Sequence, residues 1–155
     1  MRIFPGLYLP VWHLKVAAIL TWLPLCGCAS EVGRVPFARE GIADATLTLK
    51  AGEVDFWTDI DIKYQGAALL RYEIDLYQSG ASVATASCNP LGPIDIKTFW
   101  SETNLGMSHT RSGAGRMPCS VQLPAGGSTL IKTRLVFSSR PASLVLSKAD
   151  LVVKQ

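Results

Sequence analysis

EVDFWTDIDIKY, Glu53–Tyr64, alternates apolar and polar side chains along its whole length. Val54, Phe56, Thr58, Ile60, Ile62 and Tyr64 fall on one face. Asp55, Trp57, Asp59, Asp61 and Lys63 fall on the other. Successive side chains of an extended backbone point to opposite faces. A sustained period of two therefore predicts a half-buried β-strand and excludes an amphipathic helix, whose apolar positions recur every three to four residues.

The same pattern spreads outward from this strand. Gln65-Gly66 is a turn, and Ala67–Gln78 repeats the alternation, with Leu70, Tyr72, Ile74 and Leu76 inward. Ser79-Gly80 links it to a strand over Ala81–Cys88. Upstream, Ala45–Lys50 is a short strand closed by Ala51-Gly52. Downstream, Asn89–Pro93 is a rigid loop, because its two prolines have no backbone N–H to place in a central strand. Ile94–Trp100, Met117–Leu123, Ser128–Phe137, Ser143–Ser147 and Asp150–Lys154 read as further strands, while Ser101–Arg116, polar and glycine-rich, reads as a long exposed loop. Seven to nine short strands with turn signals between them predict an all-β, antiparallel two-sheet β-sandwich, immunoglobulin-like or jelly-roll-like, over residues 45–155.

The N-terminal segment has a different character. Val16–Leu25 is an uncharged apolar run preceded by Arg2, His13 and Lys15. Ten residues suit the core of a signal peptide and fall well short of the roughly 20 needed to span a bilayer as a helix. The run ends in Leu25-Cys26-Gly27-Cys28, which resembles the lipobox of bacterial lipoproteins: an aliphatic residue three positions before a cysteine and a small residue one position before it. The resemblance covers residues 16–30. It implies removal of residues 1–27 and acylation of Cys28, with a diacylglyceryl thioether and a further acyl chain such as palmitate on the new amino terminus. Two or more chains hold a protein stably on a bilayer where one does not. Ala29-Ser30 after the cysteine, with no aspartate, implies an outer-membrane anchor facing the periplasm or the cell surface. Residues 28–44 have no clear period and read as a flexible tether reaching roughly 20–25 Å, with Phe37 the residue suited to dock on the domain.

Charge bounds the partners. Removing Arg2 and Lys15 from a total of 15 basic and 12 acidic residues leaves a chain close to neutral. Nucleic-acid binding calls for a strongly basic face, so no nucleic-acid role is expected. Acidic residues dominate 31–100 and basic ones 101–155. If the strands of the two halves interleave, these charges mix.

Cys88 and Cys119 remain after acylation of Cys28, each on the inward face of its strand. In an oxidising envelope they predict a structural disulfide. No spacing suits a metal site, and no cofactor motif is found. A Cys–His nucleophile with His109 is disfavoured by the same oxidation.

Three constellations remain. Asp55, Asp59 and Asp61, with Glu73 and Asp75 on the next strand, could line one outer face as a calcium site or an acid–base pair. The competing reading is a solvated face neutralised by Lys63 and Arg71. Trp57 and Trp100 could form a platform for sugars or a protein contact. His109, Arg111 and Arg116, in the expected loop, could meet an acidic partner.

No catalytic residues are expected. The reading is a lipid-anchored, non-enzymatic envelope protein that binds another protein, and its general layout is similar to the small sandwich lipoproteins attached to secretion machineries, the type VI class among them. The alternatives are a carbohydrate- or peptidoglycan-binding module using the tryptophans, and a hydrolase using the aspartates.

Overall fold

Nine strands follow one another in the computed structural model, which describes residues 29–155: β1 (Glu31–Val35), β2 (Gly41–Leu49), β3 (Gly52–Gln65), β4 (Leu69–Gln78), β5 (Ala81–Cys88), β6 (Ile96–Leu105), β7 (Ser108–Leu123), β8 (Gly127–Ser139) and β9 (Ser143–Lys154). They form two antiparallel sheets. One runs β1-β9-β3-β7-β6 and the other β2-β8-β4-β5. The fold is the expected all-β sandwich. The expected leader and Cys28 lie outside the described residues, and no helix among those described is long and apolar enough to cross a membrane.

The alternation in β3 places its side chains as read. Val54, Phe56, Thr58, Ile60 and Ile62 are all buried and face β4 and β8 of the other sheet, where Leu70, Tyr72, Ile74, Leu76, Ile131 and Leu135 complete the core. Tyr72 is fully buried, and its hydroxyl shares a hydrogen bond with Thr58 Oγ1 at 3.2 Å. Burial pushes the phenol far above its ordinary pKa, because the charged form has no water to solvate it, and the Thr58 bond offsets this only in part.

Only β4–β5 and β6–β7 are hairpins between sequence neighbours that pair; every other link passes between the sheets. β3 and β4 are thus in opposite sheets. Their outward carboxylates, Asp55/Asp59/Asp61 on one and Glu73/Asp75 on the other, lie on opposite outer surfaces. The single acidic face expected from adjacent pairing does not form, and neither Lys63 nor Arg71 crosses to the other strand's acids.

Three boundaries differ from expectation. The segment expected as a tether is folded from Ser30 onward. Ser30 and Gln155 exchange both backbone hydrogen bonds, at 2.9 and 3.0 Å, β1 pairs with β9, and β2 pairs with β8 from Gly41. Between them the chain crosses from one sheet to the other and drives Phe37 into the core beside Tyr72, ring centroids 6.1 Å apart. The Phe37 N–H donates to Asp150 Oδ1, and its carbonyl accepts from the Ala149 N–H. Phe37 docks as expected, and the residues on both sides of it are strand.

The second difference is Ser101–Arg116, which is not a loop. It supplies the end of β6, a tight turn at Gly106-Met107 and the first half of β7. Its glycines obscured the strand for a steric reason. Gly113 has φ of +132°, and a Cβ there would sit 2.5 Å from the Phe99 carbonyl oxygen; at Gly115 a Cβ would collide with the Ile94 side chain. The third is that Ser143–Ser147 and Asp150–Lys154 are one continuous strand, β9.

Cys88 and Cys119 are bonded, with Cα atoms 5.8 Å apart. The bridge joins β5, an edge of one sheet, to β7 of the other. It closes the sandwich on the side opposite the β1–β2 crossover.

Candidate functional site

The residues expected to share a binding surface separate onto the two faces of one sheet. Trp57 on β3 is level with Arg116 on β7 and Val152 on β9. These three point away from the core. Arg111 and His109 have the opposite parity, being level with Ile62 and Tyr64, and lie on the inward face at the end of β7.

Trp57 is 8 % exposed although it points outward. The aliphatic stem of Lys154, level with Asp55, brings its ammonium 3.6 Å from the indole centroid. This is a close cation–π contact, and it covers the ring that a sugar would need. The indole Nε1 and Arg116 Nε are both buried with no hydrogen-bond partner among the described residues.

The aspartates of the same face are engaged by cations. Arg116 Nη2 donates to Asp55 Oδ1 at 2.8 Å. Asp59 and Asp150 are level on β3 and β9. Arg34 reaches both, at 3.4 and 3.3 Å, while its other nitrogens hold Glu31, and Lys148 pairs with Asp59. Hydrogen bonding to Glu31 and Asp150, opposed by desolvation, raises the Arg34 pKa and keeps the guanidinium charged. Each basic partner except Arg34 comes from the C-terminal third of the chain. The acidic and basic halves of the sequence interleave and cancel. Asp61 remains exposed.

On the opposite face, the 89–95 loop folds over β7. Arg111 is the organising residue. Its Nη1 donates to the carbonyls of Pro90 and Gly92, both at 3.2 Å, and its Nη2 donates to Glu102 Oε1 at 2.8 Å. The same guanidinium lies 5.3 Å from the Trp100 ring centroid, with the Lys97 ammonium at 5.6 Å. The Arg111 hydrogen bond, partly opposed by desolvation, holds the Glu102 carboxyl below its ordinary range. His109 stacks on Tyr64 at 5.0 Å and shares a 2.7 Å hydrogen bond with Asn104 Oδ1. Trp100, His109 and Arg111 thus hold a loop and a hairpin together, and the two tryptophans do not form one platform.

A shallow groove of about 690 Å³ lies on the outer face of the other sheet, lined by Thr46, Tyr77, Gln78, Lys132 and the glycines of two turns. No carboxylate, imidazole or thiol lines it. No cluster of three metal-ligating side chains occurs among the described residues. No protein-family model matches the chain, and no curated protein matches it in sequence.

What sequence reasoning missed is how Ser30, Lys50 and Gln155 meet. Gln155 Nε2 donates to the Lys50 carbonyl and its Oε1 accepts from the Lys50 N–H, both at 2.8 Å. Together with Ser30 these residues gather the start of the described residues, Gln155 and the β2–β3 turn at one end of the sandwich. Alternation carries no signal of that kind, because the residues involved lie outside the periodic runs.

Proposed function

We propose that this chain is a lipid-anchored protein of the bacterial cell envelope and acts as a non-enzymatic binding module for another envelope protein. The observation that carries the reading is the position of Ser30. It is paired to Gln155 at one end of the sandwich, two residues after the cysteine of the lipobox-like Leu25-Cys26-Gly27-Cys28. An acylated Cys28 leaves almost no slack, so the domain sits against the bilayer by that end. The sandwich supplies a rigid body with two solvated outer faces and a disulfide suited to an oxidising compartment. The partner is a protein, because both tryptophan rings lie against cations of this chain and Asp55 and Asp59 are already neutralised.

The test is metabolic labelling with a palmitate analogue. The label is expected on the wild-type chain and absent from Cys28→Ser, with the wild type in the membrane fraction and the variant released. Equal labelling of the two, or none in either, removes the anchor.

A further inference from the structure

Five stretches meet at the end of the sandwich that holds Ser30. The strand registers bring them there: Leu49 of β2 is level with Gly127 of β8, Gly52 of β3 with Leu123 of β7, and Gln78 of β4 with Ala81 of β5. Contacts between the turns close this end into one surface. The β7–β8 turn lies so near the β2–β3 turn that a Cβ on Gly126 would sit 3.2 Å from the Ala51 nitrogen and the Leu49 carbonyl oxygen. Gln78 Nε2 donates to the Ala125 carbonyl at 3.0 Å and ties in the β4–β5 turn. Gln155 holds both backbone groups of Lys50 and pairs with Ser30.

The side chains on this surface are small. Ala51, Ser79, Gly80, Pro124, Ala125 and Gly126 are all exposed, and none is charged. Lys50 is the exception. Its backbone is fixed by Gln155, while its side chain is exposed and makes no ion pair among the described residues. Two carboxylates stand at the margin, and both are engaged: Glu31 is held by Arg34, and Glu53 accepts from Ser120. The outer faces of the sheets are different, because their cations have acidic neighbours. Lys132, for instance, is level with Asp44 on one side and Asp75 on the other.

We infer that this end is a docking surface for the phosphate layer of a bilayer, with Lys50 as its phosphate contact, an inference that rests on the acylation of Cys28 proposed above. Two residues separate Cys28 from Ser30, a span of at most about 7 Å, so the acyl chains enter the bilayer beside this surface. Small side chains let the turns come close to the headgroups, and a lysine near an anionic membrane surface is attracted to it. β3 alone, 14 residues long, spans roughly 45 Å at about 3.3 Å per residue. A domain docked by this end therefore holds its opposite end well clear of the membrane.

The test uses the full-length chain, purified from membranes with its own modification. It is returned to vesicles of phosphatidylcholine and phosphatidylglycerol that contain a lipid with a nitroxide on its headgroup. A bimane fluorophore is attached through Ala51→Cys, Ala125→Cys, Thr85→Cys on the outer face of β5, or Met107→Cys in the β6–β7 turn. Vesicle flotation reports the anchor, and an intact Cys88–Cys119 bond on non-reducing gels reports folding. The expected result is quenching at positions 51 and 125 and none at 85 or 107. Lys50→Glu is expected to lower the quenching at 51 by at least about half, with flotation unchanged. Flotation with equal quenching at all four positions, or with the strongest at 85 or 107, overturns the docking surface and leaves the anchor standing. So does quenching at 51 that Lys50→Glu does not alter. Failure of the wild type to float, or bimane uptake by the wild type with no added cysteine, removes the anchor and the docking surface together.

Discussion

Phe37→Ala separates a folded N-terminal strap from a tether. The side chain is 6 % exposed, packs on Tyr72 and lies between the two sheets where the chain crosses from β1 to β2. Truncation removes nearly the whole ring from the core and leaves a cavity that the paired strands on both sides cannot close by collapse. Its backbone bonds to Asp150 and Ala149 remain, so the loss is one of packing. Phe→Ala changes in such sites cost about 3–5 kcal/mol, a large part of the roughly 5–15 kcal/mol that holds a domain together. In urea, with a slope of about 1.5–2 kcal/mol per molar, the midpoint falls by about 2 M. The chain supplies its own control in Phe99, which is 96 % exposed. Phe99→Ala removes no buried surface and is expected to stay within about 0.5 kcal/mol. The assay is urea unfolding of both variants followed by far-ultraviolet circular dichroism. If Phe37→Ala costs less than about 1 kcal/mol and matches Phe99→Ala, the strap is not part of the cooperative fold and the domain begins near Ala45.

Further outcomes follow from other contacts. Replacing Cys88 and Cys119 together by serine opens a loop with a sequence separation of 31; loop-closure entropy alone puts the loss at about 3–4 kcal/mol, measurable as a difference in urea midpoint between the wild type and the double variant. Gly113→Ala forces a methyl group against the Phe99 carbonyl at a φ of +132° and is expected to cost roughly 1–3 kcal/mol, whereas Gly106→Asn, at φ +59° with open space around it, is expected to cost less than about 1 kcal/mol; thermal melts of the two variants decide. Glu102 has a folded pKa below its ordinary 4.5 because Arg111 holds the charged form. Its contribution to stability is therefore complete above that ordinary value and is lost as the pH falls through the lowered one. Arg111→Met is expected to bring the Glu102 pKa back up, read by carbon-13 titration of that carboxyl, and to flatten the acid side of the stability profile; an unchanged Glu102 titration refutes the pairing.

How much of this was legible depends on the range of the physics involved. β3, β4, β5 and β8 were read within a few residues of their ends because each shows its inward face as a local alternation. β6 and β7 were only half read. Beyond Trp100, β6 pairs with β7 alone and carries no buried alternation, and β7 keeps glycine where the bulge at Phe99 and the side chain of Ile94 come close. Trp57 falls on the outward face by alternation, which does not tell whether the ring is open to solvent or covered. Its burial comes from Lys154, nearly a hundred residues away in sequence.

By itself, the sequence determined that this chain is an all-β sandwich, which strand faces are buried, and that Cys88 and Cys119 would meet inside it. The first two are consequences of side-chain alternation and hydrophobic burial, which act residue by residue along an extended chain; the cysteine pair was expected from the inward facing of both residues together with the oxidising compartment that the lipobox resemblance implies. Tertiary structure decided which strands are neighbours, that residues 31–35 and 41–44 belong to the sheets, that Asp55 and Glu73 face away from each other, and that Ser30 pairs with Gln155. Alternation is identical for a hairpin and for a crossover between sheets. The choice between them is made by contacts far apart in sequence, such as Phe37 against Tyr72 and Ser30 against Gln155, which exist only once the sheets have closed.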